Sequence, residues 1–143
     1  MFDDARALSE RVEPLERGHA ERLFPLIEAA LAEAGRGYSE LELIAVCTGP
    51  GNYTGARIGV AAARGLAFST GARAVGVDRF AALAEGRQGS VAVALVGRGG
   101  GIHVARFEDG AATMRPLTIR PEEGAAYADG ALVVGDGAAA LIG

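Results

Sequence analysis

Residues 49–59 read GPGNYTGARIG, four glycines and one proline in eleven positions, with Arg57 as the one charged side chain. The apolar run Leu43–Cys47 just before it has the length of a strand. The alanine-rich stretch TGARIGVAAARGLAFST just after it, 54–70, has the length of a helix, with Gly71 as its stop. A loop placed between a strand and a helix can offer backbone N–H groups to an anion. A nucleotide P-loop, however, ends in Gly-Lys-Ser/Thr, and the chain contains no lysine. Gly49, Gly51 and Gly55 also miss the GxGxxG spacing of a dinucleotide loop. Gly49, Pro50, Gly51, Asn52, Tyr53, Thr54, Gly55 and Arg57 thus read either as a structural turn or as a ligand contact.

Outward from this motif the chain alternates strands and helices, which makes it α/β. Ala7–Val12, bounded by the turn Asp3-Asp4-Ala5, reads as an edge strand. His19–Ala34 reads as a helix, because Leu23, Ile27, Ala30, Leu31 and Ala34 recur at helical spacing before Gly35; Pro25 inside it removes one backbone hydrogen bond and bends its first turns. Leu43–Cys47 reads as a buried strand, with Cys47 as a small buried hydrophobe. The helix 54–70 is apolar nearly all round, so cover on more than one face is expected. ARAVGV, 72–77, is the next strand, and Asp78 is placed to cap the short helix that follows. The break GRQGS divides the chain into lobes 1–87 and 88–143. Beyond it VAVALV and IHVARF form a hairpin through GRGGG, a short helix is expected over Pro121–Tyr127, and a strand runs into VVGDGA.

Composition narrows the function classes. The 143 residues carry a formal charge of −4 and a pI near 5.2, which argues against an extended cationic face for nucleic acid. No apolar run reaches the length of a membrane span, and no leader opens the chain, so the expectation is a soluble, cytoplasmic protein. A single cysteine excludes an internal disulfide. The 22 glycines are dispersed and follow no repeat.

The side chains do not assemble a catalytic set on paper. Thr54 and Ser69 have no histidine near them in sequence, no GxSxG elbow is present, and the two histidines, His19 and His103, lie far apart. With one cysteine they make a poor metal ligand supply. The pairs Asp3–Asp4 and Glu122–Glu123 read as solvated turns. Small residues recur instead at Gly55, Gly59 and Ala63, a stripe on which another backbone can lie closely, with Gly51 and Gly55 allowing the turn and Arg57 one turn into the helix. The residues therefore read as a packing and docking element, with no catalytic and no metal residue.

In order and spacing, GHAERLFPLIEAALAEAG, LIAVCTGPGNYTGARIGVAAARGLAF and AVGVDRFAALA resemble the bacterial TsaB (YeaZ) family, whose motif reads close to GPGSFTGLRIG. The likeness runs over residues 9 to 107 and echoes in VVGDGA. It implies an actin-like ATPase (ASKHA) fold in two lobes that has lost catalysis and takes no cofactor. It further implies a scaffold partner for TsaD, which transfers a threonylcarbamoyl group to the adenosine beside the tRNA anticodon, with the ATPase TsaE joining and tRNA bound only indirectly. The family's first two helices contact TsaD or a second copy. Carried onto this chain, the interface is His19, Leu23, Leu26, Arg57, Ile58, Ala61, Ala62 and Gly65. Relatives begin with a hairpin carrying an AIDTS-like strand and continue beyond VVGDGA into C-terminal helices, so the resemblance leads to the expectation of a fold without these two parts. Val96, Gly97, Arg98 and Gly101, Ile102, His103 stand where relatives carry a DAR-like strand end and its sequel, and Asn52 and Tyr53 replace Ser and Phe. The alternative is a phosphotransferase of the same fold, using GPGNYTG and VVGDGA as phosphate loops.

Overall fold

A short antiparallel pair, β1 (Phe2–Asp3) and β2 (Arg6–Ala7), opens the chain in the computed structural model, which describes residues 1–4, 6–15 and 18–142. Ala5, the last residue of the expected turn, lies outside the described residues. The strand expected over Ala7–Val12 reduces to Ala7. Beyond it, Ser9 is only 7% exposed and its hydroxyl donates to Ala30 O at 2.7 Å. A side-chain bond to the following helix thus holds this segment where a strand would use a ladder.

That helix, α1, spans His19–Ala34 with Pro25 inside it. Leu31 is buried, and Leu23, Leu26, Ile27, Ala30 and Ala34 are half-buried. Gly35 ends it at φ 65°, a left-handed conformation glycine takes without a Cβ clash, and its N–H donates to Ala32 O at 3.1 Å.

The next three elements are β3 (Leu43–Gly49), α2 (Tyr53–Thr70) and β4 (Arg73–Asp78). Arg73 N–H donates to Glu42 O at 2.9 Å and Thr48 Oγ1 to Val77 O at 3.1 Å, so the two strands run in the same direction. The burial expected of β3 is not found. Leu43 is 53% exposed, and Cys47 is exposed as well. Parallel strands are buried when neighbours and helices cover both faces, and among the described residues β3 pairs with β4 alone.

By contacts the chain divides into two compact units, Met1–Val46 with Thr54–Gly76, and Cys47–Tyr53 with Val77–Gly143. In the second, Asp78 Oδ1 accepts from Ala81 N–H at 3.0 Å and so caps α3 (Arg79–Ala84). β5 (Ser90–Val96) and β6 (Ile102–Glu108) form the expected hairpin, with Val93 opposite Ala105. β7 (Ala111–Ala112) and β8 (Leu117–Ile119) both pair with β6. After a 3₁₀ turn at Pro121–Glu123 come α4 (Ala125–Ala128), β9 (Leu132–Val134), which runs parallel to β5, and α5 (Ala139–Ile142).

Strand alternation divides the core of this unit between the two sheet faces. Val91, Val93 and Leu95 join Phe80, Ala84, Ala105 and Phe107 on one side. Ala92 and Ala94 join Ile102, Val104, Ile119 and Leu141 on the other. The expected lobe boundary after residue 87 falls inside this unit, because Phe80 and Ala84 of α3 pack with Val91 and Val93.

Candidate functional site

GPGNYTGARIG is the passage from β3 into α2. Gly49 closes the strand at φ 110°, and the Gly49–Pro50 peptide is cis. Gly51 does not take a positive φ, and Gly55 lies within the helix. The special backbone of the turn therefore rests on Gly49, and not on Gly51 and Gly55 as the sequence suggested. Gly51, Asn52, Tyr53, Thr54 and Arg57 are exposed, while Gly49, Pro50 and Gly55 are half-buried.

The small-residue stripe of α2 faces the chain's own strand. A β-carbon on Gly59 would stand 3.4 Å from Val46 Cγ2 of β3, and Ala63 is the buried residue of the helix. The expected cover on more than one face is not found among the described residues. The opposite row, Arg57, Ala61, Arg64 and Phe68, is exposed, and Phe68 reaches 93%. These four are spaced by helical turns along one side. No Asp or Glu occurs between Leu43 and Val77, so the row is basic and apolar.

On α1 the outward row is Glu21, Phe24, Glu28 and Ala32. His19, Leu23 and Leu26, the interface residues expected there, are half-buried on the side that carries Ile27, Ala30 and Leu31. On α2, Arg57, Ala61 and Gly65 are exposed, and Ile58 and Ala62 flank them half-buried. Sequence reading missed Phe24, Arg64 and Phe68. The signal was the spacing of Arg57, Ala61, Arg64 and Phe68, an aromatic in line with two arginines.

A cleft of about 570 Å³ joins the two helices, lined by Phe24 and Glu28 of α1, Tyr38 and Ser39 of the following turn, and Leu66, Ser69 and Thr70 of α2. Burial, and then the Glu28 carboxylate, push the Tyr38 phenol above its ordinary pKa, so it stays a neutral donor near neutrality. The cleft thus combines an aromatic and aliphatic wall with hydroxyls and one acid.

VVGDGA, the second loop of the phosphotransferase alternative, follows β9. Gly135 takes φ 106°, and a β-carbon there would overlap Ala94 O. Gly137 N–H donates to Ala94 O at 3.0 Å. Asp136 accepts from Val96 N–H on Oδ1 and from the Arg79 guanidinium on Oδ2, each at 2.8 Å. Burial works to raise the Asp136 carboxyl, but the Val96 N–H and then Arg79 outweigh it and hold it below the ordinary aspartate value.

His103 in β6 has its Nδ1 2.8 Å from Thr118 Oγ1, and His19 begins α1. Glu122 and Glu123 both pair with Arg120 at the surface. Among the described residues no group of three or more His, Cys, Asp or Glu is placed to hold a metal ion. No helix among them is long and apolar enough to cross a membrane.

The family model for TsaD, described as tRNA N6-adenosine threonylcarbamoyltransferase, matches residues 12–123. An uncharacterized protein of Mycobacterium tuberculosis (strain H37Rv) is 36% identical over 113 residues, 79% of this chain and 54% of that protein. The tRNA threonylcarbamoyladenosine biosynthesis protein TsaB of Haemophilus influenzae is 34% identical over 70 residues, 49% of this chain and 30% of that protein. The solved structure of YeaZ from Pseudomonas aeruginosa aligns with a TM-score of 0.61 at 31% identity, covering 73% of this chain and 53% of that one. The chain spans about half the length of the M. tuberculosis relative or less for the others, and the likeness supports an α/β actin-like fold.

Proposed function

The chain belongs to the family described by the TsaD model, TsaB (YeaZ) proteins are among its relatives, and from this premise we propose that it is a non-catalytic partner subunit in tRNA threonylcarbamoyladenosine biosynthesis. It binds and supports a TsaD-like transferase through the outward sides of α1 and α2. A TsaE-like ATPase joins the assembly, and tRNA meets this subunit only indirectly. The same helices also serve a homodimer when the transferase is absent. The subunit works in the cytoplasm and needs no cofactor.

The outward row of α2 carries this reading. A 93% exposed Phe68 in line with Ala61 and two arginines is a surface whose apolar part gains free energy when a partner covers it. Beside it, α1 presents Glu21 and Glu28 around Phe24. A partner with the inverse charge order is complementary to both rows, which sets orientation and suppresses wrong pairings.

Substitutions at two neighbouring positions test it. Ala61→Glu and Ala62→Glu place an acid on or beside the row, and a buried unpaired charge at an interface weakens association by at least about 3 kcal/mol. Circular dichroism reports folding, and sedimentation with and without the TsaD-like partner reports assembly. Normal assembly by both folded variants would remove α2 as the docking surface.

A further inference from the structure

Asp136 lies just beyond the carboxyl end of β9, next to the carboxyl end of the parallel strand β5. The groups that meet it there form a donor set suited to an oxyanion. Val96 N–H stands 2.8 Å from Oδ1, and the Arg79 guanidinium stands 2.8 Å from Oδ2. Arg79 is the first residue of α3, and the Asp78 cap fixes the start of that helix.

The backbone that carries Asp136 is held as firmly. Gly137 N–H bonds Ala94 O at 3.0 Å, and a β-carbon at 137 would lie 3.1 Å from the backbone of Ala94 and Leu95. A β-carbon at 135 would overlap Ala94 O, so the turn is pressed against the end of β5. Its carboxylate is thus presented to Arg79 and Val96 with little freedom left to lose.

We propose that the Asp136 carboxylate is the built-in occupant of an oxyanion site formed by Arg79 and the Val96 N–H, and that it keeps this site closed to phosphate-bearing ligands. An anion tethered by its own chain acts at a far higher effective concentration than a free ligand and competes with it directly. The two carboxylate oxygens engage the two donors as two oxygens of a phosphate would. The glycines of VVGDGA, which in a phosphate loop would let a ligand approach the backbone, here let the backbone approach β5. The device lies wholly in the second unit and is independent of how α1 and α2 are used.

Titrating the full chain with inorganic phosphate, while following the Val96 amide and the Arg79 Nε–H by NMR, tests the closure. The parent should show no saturable shift at either group through the low millimolar range. Asp136→Ala should show saturable shifts at both, with affinity at least about tenfold above the parent, and adding Arg79→Gln should abolish them. Asp136→Asn keeps an acceptor for Val96 while removing the charge, so it supplies the test if Asp136→Ala fails to fold; a saturable Arg79 shift is expected. The proposal is overturned if the parent saturates as tightly as the variants. It is equally overturned if a folded Asp136→Ala or Asp136→Asn leaves both groups unmoved.

Discussion

Gly59 of α2 stands over Val46 of β3, so that a β-carbon added at 59 would lie 3.4 Å from Val46 Cγ2 with no other group within 4 Å. One methyl fits this gap at ordinary contact distance, and a branched side chain does not. Gly59→Ala should therefore be neutral or stabilise by up to about 1 kcal/mol, since alanine is the better helix former. Gly59→Leu should destabilise by roughly 1–3 kcal/mol through overpacking. Urea unfolding of the three proteins checks the order; a Gly59→Leu variant as stable as the parent would mean that helix and strand separate freely.

Phe68 is nearly free of cover within the chain, so its removal should leave folding stability within about 0.5 kcal/mol of the parent. If a partner buries the ring, Phe68→Ala should weaken association by about 2–3 kcal/mol, or roughly 30- to 150-fold. Parallel thermal unfolding and sedimentation with the TsaD-like partner separate the two effects. Loss of stability without loss of association would reverse the assignment.

The Asp136 carboxyl is held below its ordinary pKa by Val96 and Arg79 against the effect of burial. Its stabilising contribution is therefore fully present above the unfolded value near 3.9 and is lost as the pH falls through the depressed native value. With the side chain half exposed, the contribution is about 1 kcal/mol or less. The stability gap between the parent and Asp136→Asn should be constant from pH 7 to about 5 and narrow below about 4. A gap that widens on acidification would give the wrong sign.

Asp78 caps α3 through the Ala81 N–H, and α3 brings Phe80 and Ala84 to the core of the second unit. Asp78→Ala should cost about 1 kcal/mol, and Asp78→Asn, which keeps an acceptor, much less. Chemical denaturation distinguishes them. Equal losses would show that the charge, and not the hydrogen bond, acts on the helix.

Much of this architecture follows from local sequence. The bounds of α1, the start of α2 to within one residue, the β5–β6 hairpin and the Asp78 cap all rest on spacing, glycine stops and capping chemistry, which act over a few neighbouring residues. The motif of residues 49–59 likewise carried the family likeness, because that order of glycines and polar residues is long and specific.

Burial and direction came from tertiary structure. β3 is as apolar as a core strand, yet Leu43 and Cys47 are exposed, since burial depends on how many elements cover a strand and not on its own residues. The small residues of α2 admit close approach from any side. Only the position of Val46 assigns that approach to the chain's own strand and turns Arg57, Ala61, Arg64 and Phe68 outward. The sequence of VVGDGA is equally compatible with holding a phosphate or packing on a strand. What the fold adds is the placement of Val96 N–H and Arg79 within hydrogen-bond distance of Asp136, two donors 40 and 57 residues away in sequence that no local pattern could bring together.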